Sequence, residues 1–157
     1  MEKKVRILID SGKSISTMES CTGGLLASTI TDYSGASDVL SGAFVTYSNN
    51  AKTAQGVPEE IIDQYGVYSV ETAVAMARAC AEAYDSDIGI GITGSLGRKD
   101  PNNPDSEVGK VCYSIISGDK IISSELTVPD ELISRHEMKE YVVNEVLDKI
   151  TELLGQN

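Results

Sequence analysis

The chain has 157 residues, 41% hydrophobic and 24% charged, with Lys+Arg 13 against Asp+Glu 24 and a formal net charge of −11. That length suits a single domain spanning 1–157 whose core folds without a metal or a disulfide, and the apolar fraction excludes a disordered acidic tail. The acid excess argues against nucleic acid or an anionic membrane as partner, because neutralising phosphates takes concentrated Lys and Arg, but it leaves room for a small phosphorylated ligand.

Along the chain, strand and helix signals alternate, which predicts an α/β layer architecture. Residues 2–11 read as a short helix stopped by Ser11-Gly12, and Ser14 to Met18 as a strand running into the glycine turn Glu19-Ser20-Cys21-Thr22-Gly23-Gly24. Leu25 to Ile30 is a helix closing near Gly35, and Gly42 to Tyr47 a strand broken by Ser48-Asn49-Asn50. Pro58 is expected at the first helical position, ahead of Glu59-Glu60. Ser69 caps the next helix, where Ala73, Met76, Ala77 and Cys80 form a small-residue stripe suited to close packing on a sheet. Asp87 to Thr93 is a central strand, and 95–107 a loop long enough to suggest function. Gly109–Ile116 and Ile121–Val128 form a hairpin, and Pro129-Asp130-Glu131 opens the last helix.

Cys21, Cys80 and Cys112 are odd in number and widely spaced, which suits neither a disulfide framework nor a zinc site. The N-terminus lacks a signal-peptide core and no long apolar run follows it, so a reduced, cytoplasmic protein is the expectation.

Three polar segments fall at predicted strand ends, where open α/β sheets bind ligands: Glu19 to Gly24, Tyr47 to Lys52, and Thr93 to Gly97. The first is either an ordinary helix cap by Ser20 or Thr22, or a nest of N–H groups for a phosphate or an oxyanion. The second sets Tyr47, Ser48 and Lys52 close together. It is either a solvated loop or a serine-activating Ser–Lys arrangement, in which a lysine of lowered pKa accepts a hydroxyl proton. His136, the one histidine, reads as a surface residue, which leaves no Ser-His-Asp triad. No P-loop, G-x-G-x-x-G, G-x-S-x-G or H-E-x-x-H pattern occurs.

Glu19-Ser20-Cys21-Thr22-Gly23-Gly24 together with Thr46-Tyr47-Ser48-Asn49-Asn50-Ala51-Lys52 resembles the signatures of the CinA C-terminal domain family, whose enzymatic members are nicotinamide-nucleotide amidohydrolases. Gly56-Val57, Gly66-Val67-Tyr68-Ser69, Gly91-Ile92-Thr93-Gly94 and Val108-Gly109 extend the likeness over nearly the whole chain, which looks like the stand-alone form of that domain.

The resemblance implies a three-layer α/β/α sandwich with a mostly parallel, mixed sheet. It implies hydrolysis of the carboxamide of nicotinamide mononucleotide, with no metal or cofactor. By motif, Lys52 and Tyr47 would be catalytic, with Ser37 the preferred nucleophile and Ser20 and Ser48 its rivals. Ser20, Thr22, Gly23, Gly24, Ser48, Thr93 and Gly94 would line the pyridine-nucleotide pocket, and Arg135 would meet the phosphate. A homodimer is expected from the family and the apolar last helix.

One segment departs from the family pattern: G-I-A-G-P-G-G becomes a sequence ending Gly97-Arg98-Lys99. If this loop covers the ligand, the added cations change its shape and field. Two other readings therefore stand beside the first: an amidase acting on a different amide-bearing nucleotide, and a catalytically silent nucleotide-binding module.

Overall fold

Alternation of isoleucine and glycine along Ile88-Gly89-Ile90-Gly91-Ile92 organises the molecule. In the computed structural model, which describes residues 1–155, these residues lie in the middle strand of a five-stranded sheet. The isoleucines point into one helical layer and the glycines leave the opposite face bare. The elements in chain order are α1 (Glu2–Asp10), β1 (Ile15–Glu19), α2 (Leu25–Thr31), a 3₁₀ turn (Ala36–Asp38), β2 (Leu40–Val45), α3 (Asn49–Ala54), α4 (Glu59–Tyr65) and α5 (Val70–Tyr84). β3 (Ile88–Gly94), β4 (Lys110–Ser117), β5 (Lys120–Thr127) and α6 (Arg135–Gly155) complete it.

The strand order is β2-β1-β3-β4-β5, with β2, β1 and β3 parallel to one another and β4 and β5 joined antiparallel. This is the α/β/α arrangement with a mixed sheet. On one face Val5 and Leu8 of α1, Leu26 and Ile30 of α2, and Val142, Val146 and Ile150 of α6 close over Ile15, Ile88, Ile90, Ile92, Val111, Tyr113 and Ile115. On the other, α5 lies so near the sheet that a Cβ at Gly89 or Gly91 would stand 2.1 or 2.2 Å from the carbonyl oxygen of Ala77 or Ala73. The small-residue stripe of α5 serves this approach.

Because the obstacle is helix backbone, Gly91→Ala cannot be absorbed by a rotamer change. It should lower stability in urea denaturation by about 3 kcal/mol or more, the upper end of overpacking effects.

Three boundaries differ from expectation. Pro58 is the N-cap of α4 rather than its first helical residue, with extended backbone (φ −60°, ψ 129°). The second strand is Leu40–Val45, which releases Thr46 and Tyr47 to the site. The last helix starts at Arg135 instead of Pro129, because Ser134 and Glu137 form a capping box: the Ser134 Oγ accepts from the Glu137 N–H at 3.1 Å and the Glu137 carboxylate accepts from the Ser134 N–H at 2.9 Å. Among the described residues no helix is long and apolar enough to cross a membrane.

Parallel β2, β1 and β3 bring their carboxyl ends to one edge. β1 lies between the other two, so the connections leaving it and skipping over it open a crevice there.

Candidate active site

β1 passes directly into the turn that carries Ser20. The Ser20 N–H donates to the Ile92 carbonyl at 3.0 Å, and the Gly23 N–H closes back on the Ser20 carbonyl at 3.0 Å. Gly23 and Gly24 (φ 61° and 92°) take the left-handed backbone that swings the chain into α2, a conformation side chains disfavour. Beneath the turn lies Glu19, fully buried. Its carboxylate accepts from the Thr22 hydroxyl at 2.6 Å, the Thr17 hydroxyl at 3.3 Å, and the N–H groups of Leu26 and Ala27 at 2.9 and 3.0 Å.

The positive end of α2 is thus satisfied by the protein's own carboxylate, and the Thr22 hydroxyl is spent on the same group. A bound phosphate has no place there, contrary to one expectation for this nest. Among the described residues the N–H groups of Cys21 and Thr22, the two residues after Ser20, donate to no other residue, the Cys21 N–H facing its own thiol.

At the end of β2 the chain makes a second turn. Ser48 caps α3, its Oγ accepting from the Ala51 N–H at 3.0 Å, and one helical turn returns Lys52 to the interior. Lys52 is only 1% exposed, an unusual position for lysine. Its Nζ lies 2.9 Å from the Thr46 carbonyl and 3.1 Å from Ser20 Oγ. Burial, partly opposed by the nearby Asp100 carboxylate, lowers its pKa to about 8, so about a tenth of the amine is neutral at pH 7, far more than for a solvated lysine. Cys21 next to Ser20 behaves oppositely: burial, and then Glu19, push its thiol up to about 12, and it stays protonated.

Ser20, Cys21 and Lys52 open on a cavity of about 520 Å³ whose lining also includes Tyr47, Ser48, Gly94 and Arg135. Tyr47 stands 63% exposed. Its Oη accepts from Arg135 Nη2 at 3.0 Å, and no hydrogen bond joins it to Lys52 or Ser20. Arg135, the first residue of α6, packs along Gly97.

Several residues singled out in the sequence are elsewhere. Ser37 sits exposed in the 3₁₀ turn that precedes β2, whereas Tyr47 and Lys52 follow that strand. Six residues of strand, at about 3.3 Å each, put roughly 20 Å between the two ends, so Ser37 cannot meet Lys52. Thr93 is fully buried and donates to the Val67 carbonyl at 2.9 Å. Thr22, Gly23, Gly24 and Thr93 are not among the residues lining the cavity.

The remaining wall comes from the 95–107 loop, which is built rather than slack. The Asp100 carboxylate accepts from the Tyr68 hydroxyl at 2.6 Å, from Asn103 Nδ2 at 2.7 Å and from the Asn102 N–H at 2.9 Å. These bonds, Tyr68 foremost, hold it below the usual carboxylate range. Asn103 is tied in turn to Asn49 of α3 at 3.2 Å. Burial, and then the bond to Asp100, raise the Tyr68 phenol well above its ordinary pKa. Tyr68, Arg98, Asp100 and Asn103 all line the cavity, but Lys99 does not. Sequence reasoning left Tyr68 and Asp100 unassigned, although Asp100-Pro101-Asn102 has the composition of an Asp-initiated turn.

The chain is similar to known proteins in sequence and in fold. A "CinA-like protein" of Mycolicibacterium gilvum is 41% identical over 110 residues, covering 69% of this chain and 26% of that protein. A "CinA-like protein" of Chloroherpeton thalassium is 38% identical over 151 residues, covering 92% and 36%. The chain therefore spans about a quarter to a third of the length of such relatives. Among solved structures, competence/damage inducible protein CihA from Agrobacterium tumefaciens superposes with a TM-score of 0.87 at 30% identity, covering 97% of this chain and 94% of that one. The profile of the CinA C-terminal domain matches residues 1–154, and with a fold and sequence shared this widely the chain belongs to the CinA C-terminal domain family.

Proposed function

We propose that this chain is an amidohydrolase that removes ammonia from the carboxamide of nicotinamide mononucleotide, with Ser20 as nucleophile and Lys52 as its base. The observation that carries the reading is the contact between a buried lysine of lowered pKa and a serine hydroxyl 3.1 Å away, at the mouth of a cavity large enough for a mononucleotide. Of the three serines considered, Ser20 alone meets Lys52: Ser48 spends its Oγ on capping α3, and Ser37 is across the sheet.

Neutral Lys52 takes the Ser20 proton as Oγ attacks the carboxamide carbon. The N–H groups of Cys21 and Thr22, which donate to no other residue, are available to the resulting oxyanion. The intermediate collapses, the C–N bond breaks, and the ammonium proton of Lys52 goes to the departing nitrogen as ammonia, leaving an acyl ester on Ser20. Water then attacks the ester, giving its proton to Lys52, which returns it to Ser20 as the acid leaves. Arg135, steadied against Tyr47, and Arg98 supply positive charge on the cavity wall for the single phosphate of the substrate.

Ammonia release from nicotinamide mononucleotide, followed by a coupled assay across pH, tests this. Only deprotonated Lys52 accepts the serine proton, so kcat/KM should climb tenfold per pH unit below about 8 and level off above it. Absence of turnover, or a profile flat from pH 6 to 9, would overturn the reading.

A further inference from the structure

Tyr68 and Asp100 form a pair on the cavity wall that the mechanism leaves unused. The phenol donates its only proton to the Asp100 carboxylate at 2.6 Å, and that carboxylate is held in place by the Asn102 N–H and the Asn103 amide. With its proton committed, Tyr68 has only an oxygen lone pair to offer a ligand. The carboxylate behind it makes the potential at Tyr68 locally negative in a cavity whose other charged side chains, Lys52, Arg98 and Arg135, are basic. Both features suit a neutral ligand group that bears N–H donors and oppose an anionic one that bears only acceptors. Amide substrate and acid product of the proposed reaction differ in this respect and little else.

We infer that Tyr68 is a specificity-determining residue that accepts a hydrogen bond from the carboxamide NH₂, and that Asp100 is the positioning residue that fixes its polarity, so that the site favours amide over acid and expels its product. The inference rests on the amidohydrolase reading and assigns that site its discriminating wall. Asp100→Asn should remove that negative potential and keep the phenol's orientation. The Oδ2 position accepts from both Tyr68 and Asn103 Nδ2, so an asparagine turns its carbonyl oxygen to these two donors while the charge that opposes a carboxylate is gone. Tyr68→Phe removes the acceptor and leaves the loop its other bonds.

The test is calorimetric titration of nicotinamide mononucleotide and nicotinic acid mononucleotide into the Ser20→Ala protein, and into Ser20→Ala carrying Tyr68→Phe or Asp100→Asn. In the Ser20→Ala reference the amide should bind more tightly than the acid. Tyr68→Phe should weaken the amide roughly tenfold with a smaller effect on the acid, and Asp100→Asn should tighten the acid with a smaller effect on the amide. A reference that prefers the acid, or variants that shift both ligands by the same factor as general loosening of the loop would, overturns the inference. If unaltered protein releases ammonia and the ratio still fails to move, the inference alone falls. If neither nucleotide binds, it falls together with the function on which it rests.

Discussion

Ser20→Ala should lower the rate of ammonia release by about 10⁴-fold or more, as losing the nucleophile of a serine hydrolase does, while Ser37→Ala should leave it within about twofold. The contrast follows from strand direction. Ser20 leaves the carboxyl end of β1 beside Lys52, whereas Ser37 enters β2 at its amino end. Substrate affinity should survive in Ser20→Ala, because the cavity wall is untouched and only one hydroxyl is gone. Kinetics of both variants on the same nucleotide check the assignment. Undiminished turnover in Ser20→Ala would move the nucleophile elsewhere.

Lys52→Met should abolish turnover to a similar extent and, unlike most losses of a buried side chain, should stabilise the protein near pH 7. The sign follows from the proton count. The folded state gives up the Lys52 proton near pH 8 and the unfolded state near 10.5, so between those values the unfolded chain binds more protons and stability rises with pH. Below pH 8 both states are protonated and the native state carries the full cost of a buried ammonium, of order 3 kcal/mol. Methionine removes that cost at similar volume and forfeits the bonds to Thr46 and Ser20, for a net gain of order 1–2 kcal/mol. Urea denaturation at pH 7 and at pH 10 measures it: the gain should be clear at the lower pH and shrink at the higher. A variant less stable than the parent at pH 7 would mean that Lys52 is not a strained base. A gain would place this residue among those that trade stability for chemistry.

Much of this was legible in the chain. Periodicity, glycine punctuation and caps gave the strands and the larger helices, and two motifs put Ser20, Tyr47 and Lys52 in view, but the short helix α3 that turns Lys52 inward reads in the sequence as a strand break and a loop. The preference for Ser37 carried over by motif fails on geometry: Ser37 is closer to Lys52 along the chain than Ser20 is, yet an intervening strand carries it to the far edge. Thr22 and Thr93 look like ligand-facing hydroxyls in a linear motif, and only burial shows that they serve Glu19 and the Val67 carbonyl. The Tyr68–Asp100 bond spans a separation of 32 residues and no local pattern marks it. The capping box at Ser134–Glu137 was available in the sequence, but Pro129 with its acidic followers was the louder signal.

The change of strand direction after β3 has an evolutionary consequence. Ser20 and Lys52 hang from the parallel half of the sheet, where every connection must cross over through a packed helix and an altered length would disturb a whole layer. The wall that faces them belongs to an antiparallel connection, which leaves and re-enters the same edge and displaces no helix as it grows, shrinks or changes charge. Selection on substrate preference can therefore act on 95–107 almost independently of selection on bond cleavage. On the proposed mechanism, a loop bearing Arg98, Asp100 and Asn103 can change its residues while Ser20 and Lys52 stay as they are.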